Sequence, residues 1–363
     1  MSSPFDIDDD ELTALLGPSY RVAQFSKGIF GDGKLPDEIT SLPARLRSEI
    51  SDRFRLGLTE IARVDADSGR TVKWLFEVEG GGRIETVLMH YRDRSTACIS
   101  SQAGCAMGCS FCATGQGGFG RQLSRSEILE QVFIAKREAR PARLSNVVLM
   151  GMGEPLANYR NVVAALRDIN ARFGLSARKI TLSTVGLVPG LLKLAGESIP
   201  LTLAISLHAA NDSDRDSIIP LNRRYPIGDI ISACEVWTEA TSRLVSFEWA
   251  MIRGFNDTTR AAEELAALAM KVRAHVNLIP LNPTPGYPVL GSEPERIAAF
   301  KDRLESLGVR VSIRNNRGRS IEAACGQLAM RDGVRAATRP GLRLTPPTTG
   351  ANPRPNRAHQ QLR

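Results

Sequence analysis

The sequence predicts an α/β protein: an open (β/α)6 partial barrel with a small N-terminal helical accessory domain. Three observations predict it. From about Tyr91 onward, short apolar β-rich runs alternate with amphipathic helical stretches, the pattern of parallel βαβ units. Such units number about six, too few for a closed eight-strand barrel but enough for an open one. Cysteines, glycines, an acid and small polar residues recur where the runs end, which is where barrels gather their chemistry.

Residues 1–62 differ in character from the rest of the chain. An acidic start (Asp6, Asp8 to Glu11) leads into helical patterns at Tyr20–Ile29 and Leu42–Phe54, broken by Gly31, Gly33 and Pro36. Residues 63–90 read as a β-hairpin linker, because the strand-like runs Thr71–Val78 and Arg83–His90 flank the turn Gly80-Gly81-Gly82. In the core, residues 91–330, strands are expected at Ala97–Ser100, Asn146–Met150, Ile180–Ser183, Leu201–Leu207, Leu244–Met251, Val276–Ile279 and Val309–Ile313. Helices are expected at Ser126–Arg137, Asn161–Phe173, Val188–Glu197, Ile227–Thr241, Thr259–Ala274 and Glu293–Leu307. Residues 331–363 hold seven arginines, one acid (Asp332) and five prolines with almost no apolar periodicity, a basic tail expected to be disordered.

Charge and composition bound the function. The net charge is +8, but the tail carries +6 of it, so basic character alone is weak support for a nucleic-acid partner. No apolar run is long enough to span a bilayer, and the chain does not start with a basic-then-apolar leader pattern. Of the six cysteines three lie within eight residues, which reads as a metal site in a reducing compartment. A cytoplasmic protein is expected.

Those three are Cys105, Cys109 and Cys112, spaced C-x3-C-x2-C with Phe111 before the last. Three thiolates on a short glycine-flanked loop can bind three irons of a [4Fe–4S] cluster and leave the fourth open to a small molecule. The competing reading of the same spacing is a structural zinc knuckle with Cys98 or a histidine as fourth ligand. The loop directly follows the first strand of the alternation, as a barrel site would. The spacing resembles that of the radical S-adenosylmethionine (SAM) superfamily, in which SAM coordinates the open iron.

The later strand ends carry the other candidates. Gly151-Met-Gly153-Glu154-Pro155 ends the second, where glycines allow close backbone approach and Glu154 can accept from an ammonium group. Ser183 ends the third, Ser206-Leu207-His208 the fourth, and Asn282 follows the sixth. Small polar groups there suit ribose hydroxyls and a carboxylate; singly, each is as readily a helix cap or turn residue. Cys325, between Gly318 and Gly326, lies on a segment able to bring a thiol to the barrel mouth, and Cys98 ends the first strand facing the same site. Cys234, inside an amphipathic helix, reads as core. Arg223, Arg224, Arg314, Arg317 and Arg319 cluster in loops after strands and read as a phosphate-contacting rim, with a solvated charged face as the competing reading.

Taken together, the run from Cys98 to Leu123, Gly-Met-Gly-Glu-Pro-Leu156, Ser-Leu-His208 and Ala-Ala-Cys-Gly-Gln-Leu328 resemble the radical SAM adenine-C2 methyltransferases of 23S ribosomal RNA, the RlmN type, over about residues 20–330. The resemblance implies a [4Fe–4S] cluster on Cys105, Cys109 and Cys112. It implies SAM contacts at Gly153, Glu154, Ser183, Ser206, Leu207, His208 and Asn282. It further implies Cys325 as methyl carrier, Cys98 as resolving thiol and Glu85 as proton acceptor. Adenine C2 has no lone pair with which to attack the SAM methyl, whereas a thiolate can do so. The implied scheme uses two SAM molecules: one methylates Cys325, and the second gives a radical that activates the S-methyl group. Cys98 then releases the methylated base by forming a transient disulfide. The implied partners are 23S rRNA and tRNA, the latter at the adenosine 3′ of the anticodon. A loop or single-stranded adenosine, extruded into the site, would be the substrate. The helical N-terminal domain would be the RNA platform. No flavin or ferredoxin motif is visible, so a separate flavodoxin- or ferredoxin-like donor is implied, and the protein is expected to act as a monomer. A C8-directed relative of the same mechanism is the nearest alternative.

Overall fold

Seven strands lie side by side in parallel, each with an apolar face buried under helices. The computed structural model describes residues 3–282 and 289–314, so Cys325, Arg317, Arg319 and the basic tail lie outside the described residues. The N-terminal helices are α1 (Asp9–Leu16), α2 (Ser19–Ser26) and α3 (Ala44–Arg53). An antiparallel meander comes after them: β1 (Leu58–Ala66), β2 (Thr71–Val78) and β3 (Arg83–His90). Next come β4 (Ser95–Cys98) and a small separate ribbon of β5 (Gln102–Gly104) and β6 (Phe119–Gln122), with α4 (Ala113–Gln116) between its strands. The alternation then runs α5 (Arg125–Glu138), β7 (Leu144–Leu149), α6 (Tyr159–Ala171), β8 (Ile180–Thr184), α7 (Val188–Ala195) and β9 (Thr202–Ser206). It closes with α8 (Asp212–Ile218), α9 (Ile227–Thr241), β10 (Val245–Met251), α10 (Thr259–Lys271), β11 (His275–Pro280), α11 (Pro294–Ser306) and β12 (Arg310–Ile313).

The main sheet has ten strands in the order β1-β2-β3-β4-β7-β8-β9-β10-β11-β12. Every pair from β4 to β12 is parallel, and β3 joins β4 antiparallel. The sheet is open, as the sequence predicts. Alternate residues on each strand face opposite sides. One side, with Val147, Leu182, Leu203, Phe247, Trp249 and Leu278, packs under the helices in a single buried cluster. Burying a side chain such as Phe247 contributes about 1.5–3 kcal/mol. The other side lines the lumen with Cys98, Ser183, Ser206, Glu248 and Asn277.

Local signals explain the helix that anchors the site. Ser124 and Glu127 form a capping box at the start of α5: Ser124 Oγ accepts from the Glu127 N–H, and the Glu127 carboxylate accepts from the Ser124 N–H at 2.8 Å. Glu127 also holds Arg121 of β6 through Nη1 at 2.9 Å, tying the ribbon to α5.

The structure differs from the sequence reading in residues 1–90. β1 crosses the expected boundary at residue 62, and residues 63–90 belong to the main sheet instead of linking two units. A linker would have left the β3 backbone unpaired beside a buried β4, whereas pairing Val87 with Cys98 satisfies both. The N-terminal helices share the core cluster, with Phe5 edge-on to Phe30, tilted against Phe133 and stacked on Phe173.

Candidate active site

The cysteine loop hangs between β5 and β6. The Cys105 N–H donates to the Gly118 carbonyl at 2.7 Å, and the Ser110 N–H donates to the Ile218 carbonyl at 3.0 Å, closing the loop against α8. Gly104 has φ of 79° and approaches so closely that a Cβ there would lie 2.1 Å from the Gly118 oxygen. Met107, Cys109 and Phe111 pack on a small apolar cluster of Val185, Ala209, Ile218 and Ile219, which pins the loop over the ends of β8 and β9.

All three thiols are half-buried. Burial pushes the Cys105 thiol up to about 12, with the negative charges of Cys112 and Glu154 adding to it. Burial likewise raises Cys109 well above the ordinary thiol value, its neighbours Cys112 and Cys105 add to the rise, and Arg215 opposes it. Three coupled thiols in such a place ionise together only if a cationic centre joins them. Among the described residues no three histidine, cysteine or acidic side chains converge on one ion-sized point, and thiolates that each bind a different iron need not. This donor set fits an iron–sulfur cluster.

Glu154 is placed by the segment that leads into this loop. Residues 151–154 are laced to residues 99–102 by the Gly151 N–H to the Ile99 carbonyl (3.0 Å), the Ser101 N–H to the Met152 carbonyl (2.8 Å) and the Glu154 N–H to Gln102 Oε1 (2.7 Å). Gly153 has φ of 100°, and a Cβ there would sit 2.5 Å from Gln102 Cβ, so its glycine serves this packing. The carboxylate is buried and accepts from the Leu156 N–H at 3.0 Å and the Val185 N–H at 2.8 Å. Burial raises its pKa against these hydrogen bonds.

Ser183 and Ser206 meet across neighbouring strands, Oγ to Oγ at 3.1 Å. Leu207 turns its side chain into the core, while its N–H donates to the Glu248 carbonyl. His208 is buried at φ of 60° and its Nδ1 accepts from the Ala250 N–H at 3.0 Å, so a neutral ring carries its proton on Nε2. Burial drives its pKa down to about 3, aided by Arg215, which keeps the ring neutral. Phe111 of the cysteine loop sits edge-on to this ring at 4.7 Å. Asn282 lies two residues beyond β11.

On the opposite wall, Cys98 ends β4 at 8 % exposure, facing the lumen because Ala97 faces the core. Val87 is its partner on β3, and Glu85, two residues earlier, shares that face. Glu85 is buried and bound by Lys73 Nζ at 2.9 Å. Cys98, Glu85 and the cysteine loop therefore stand around one lumen.

Two residues of the site escape the sequence reading. Arg215 of α8 is fully buried: its Nε donates to the Leu207 carbonyl at 3.0 Å, Nη1 to Asn222 Oδ1 at 2.8 Å and Nη2 to the Val185 carbonyl at 2.6 Å. It fixes the ends of β8 and β9 together. Lys73 is the second, and a lysine inside the apolar run Thr71–Val78 was the available signal. Arg223, Arg224 and Arg314 are exposed at the rim.

Known proteins give this geometry a context. Residues 99–266 match the Radical SAM superfamily, whose members use a [4Fe–4S] cluster and SAM. The chain is 46 % identical to the probable dual-specificity RNA methyltransferase RlmN of Parafrankia sp. (strain EAN1pec), over 91 % of this chain and 92 % of that one. It is 47 % identical to the protein of the same description from Mycolicibacterium paratuberculosis, over 90 % and 94 % of the two chains. The crystal structure of a radical SAM methyltransferase from Sphaerobacter thermophilus superposes with a TM-score of 0.84 at 44 % identity, covering 90 % of this chain and 99 % of that one. On these findings, the chain belongs to the RlmN family of radical SAM RNA methyltransferases.

Proposed function

We propose that the protein methylates C2 of an adenosine in 23S rRNA, and the adenosine 3′ of the anticodon in certain tRNAs. The route is an S-methyl group on Cys325 and a transient Cys325–Cys98 disulfide, with two SAM molecules used per methylation. The observation that carries the reading is the wall that places the Cys98 thiol and the Glu85 carboxylate on one lumen face, beside the cysteine loop. The relatives named as dual-specificity RNA methyltransferases support the choice of RNA.

Cys105, Cys109 and Cys112 would hold the cluster, which with bound SAM supplies the one-electron chemistry that activates the S-methyl group. The remaining roles belong to the chain. Glu154 accepts from the SAM ammonium group. The hydroxyls of Ser183 and Ser206, the His208 Nε2–H, Asn282 and the backbone at Gly153 and Leu207 orient the rest of the molecule. Cys325 takes a methyl by displacement, because its sulfur has the lone pair that adenine C2 lacks. Glu85 removes the C2 proton, with Lys73 as its fixed counter-ion. The Cys98 thiolate then attacks Cys325 sulfur and forms the S–S bond; the S–C bond breaks with its electron pair left on the exocyclic carbon, which takes up a proton to become the methyl group. The N-terminal helical domain and the rim arginines contact RNA phosphates, and the target base is extruded into the lumen. A flavodoxin- or ferredoxin-like protein supplies the electrons, and the enzyme works as a cytoplasmic monomer. Among the described residues no helix is long and apolar enough to cross a membrane.

Anaerobic turnover of an rRNA fragment, followed by nuclease digestion and mass spectrometry, tests the regiochemistry. The expected product is 2-methyladenosine; 8-methyladenosine alone would overturn the C2 assignment.

A further inference from the structure

Across the lumen from Cys98, four successive strands carry polar side chains in register. Ser206 of β9 is paired with Glu248 of β10, and Glu248 with Asn277 of β11, which is paired in turn with Ser312 of β12. A directional chain of donors runs along them. Ser312 Oγ donates to Asn277 Oδ1, so it accepts from His275 Nε2 at 2.9 Å. Asn277 must therefore turn Nδ2 toward Glu248, and it donates to Oε1 at 2.8 Å. Ser246 Oγ donates to the same oxygen at 3.2 Å.

Both donors fall on Oε1. Glu248 is 3 % exposed, yet its Oε2 accepts no hydrogen bond among the described residues, and its nearest cation, Arg314 Nη1, stands 3.9 Å away. An open carboxylate oxygen at that depth is costly unless a ligand completes it. Glu248 also lines a cavity of about 400 Å³ together with Met150, Thr181, Thr202 and Asn277, which is room enough for a nucleoside.

The surroundings select the ligand group. Arg314 Nη1 stands 3.9 Å from the same oxygen, so a neutral O–H donor completes the site without adding a further positive charge. The neighbouring wall is rich in hydroxyls, and Glu248 lies directly opposite Ser206, which meets Ser183 at 3.1 Å. We infer that Glu248 is a further SAM-binding residue, its Oε2 accepting a hydrogen bond from a ribose hydroxyl of the adenosyl group. The inference rests on the proposed SAM contacts of Ser183 and Ser206.

Glu248→Gln tests it. Asn277 obliges the new amide to keep its oxygen toward Nδ2, so the variant presents an N–H2 donor: the ribose hydroxyl would have to turn and accept, and a charge-assisted bond is exchanged for a neutral one. Anaerobically reconstituted holoenzyme, assayed by equilibrium dialysis, should bind SAM roughly tenfold more weakly in E248Q than in the unaltered chain. With the 2′-deoxy or the 3′-deoxy analogue of SAM, whichever lacks the recognised hydroxyl, that difference should shrink to less than about twofold. Glu248→Asp, which keeps the charge and shortens the reach, should fall between and serves if E248Q does not fold. Equal SAM binding by both forms would overturn the inference. So would an equal loss for SAM and both analogues, or a change confined to the KM for RNA, which would give the oxygen to the target nucleoside. Unaltered holoenzyme that bound no SAM would instead count against the proposed function itself.

Discussion

The two walls of the lumen each bury a carboxylate, and they treat it in opposite ways. On the β2–β4 wall Glu85 is clasped by Lys73 at 2.9 Å with both side chains fully buried. On the β9–β12 wall Glu248 has neutral donors on one oxygen only, and its nearest cation is 3.9 Å away and half-exposed. A closed ion pair fixes its carboxylate in one position, which suits a group that must stand against a single atom of a base. A half-completed carboxylate is arranged for a ligand that arrives from solution. The difference separates the wall proposed to act on the base from the wall proposed to hold the cofactor.

The comparison can be broken most forcefully at Lys73. Lys73→Met leaves Glu85 charged, buried and uncompensated, and should destabilise the protein by about 3–5 kcal/mol in denaturant melts. Adding Glu85→Gln to that variant should restore much of the loss. If K73M melted like the unaltered chain, the buried pair would not be what holds that wall.

On the other wall, Arg215→Met would strip the carbonyls of Val185 and Leu207 of a buried donor. A loss of about 3 kcal/mol is expected, with SAM affinity falling as the ends of β8 and β9 separate. Stability lost with unchanged SAM affinity would show that Arg215 braces the fold without shaping the site.

The smallest effect is one of pH. His208 titrates near 3 in the folded protein against an ordinary value of 6.5. Between those values the unfolded chain binds a proton that the native chain refuses, so stability is fully present above 6.5 and falls as pH drops through the window. The slope should approach about 1.4 kcal/mol per pH unit for this group. His208→Asn, which can keep the left-handed backbone and accept from the Ala250 N–H, should lose this slope in melts between about pH 5 and about pH 7, either side of the unfolded midpoint. An unchanged pH profile would place the titration elsewhere.

Much of this was legible in the residues. The alternation of strands and helices was plain because the helix-covered face of each strand is apolar, and the candidate residues stand where the runs stop at a small polar residue. β1 was hidden because Glu60, Arg63 and Asp65 interrupt its segment Leu58–Ala66 and most of its positions are exposed or half-buried, so it resembles a solvated stretch. Arg215 was hidden among Asp212, Asp214 and Asp216, where a helix surface is the natural reading of such charge. Glu248 does carry a signal: a lone acid between Phe247 and Trp249, in a strand otherwise apolar but for Ser246, must be buried, and a buried acid needs a reason. Pairing could not be read at all. That Val87 lies opposite Cys98, and so puts Glu85 on the thiol's face of the sheet, depends on a strand register that the sequence of either strand alone does not carry.

The most direct test of the central claim is to remove the resolving thiol. Anaerobic reaction of the Cys98→Ala variant with RNA and SAM, resolved on a denaturing gel, should accumulate a covalent protein–RNA adduct, and adding Cys325→Ala should abolish it. Free turnover to methylated RNA by Cys98→Ala, with no adduct, would contradict the account.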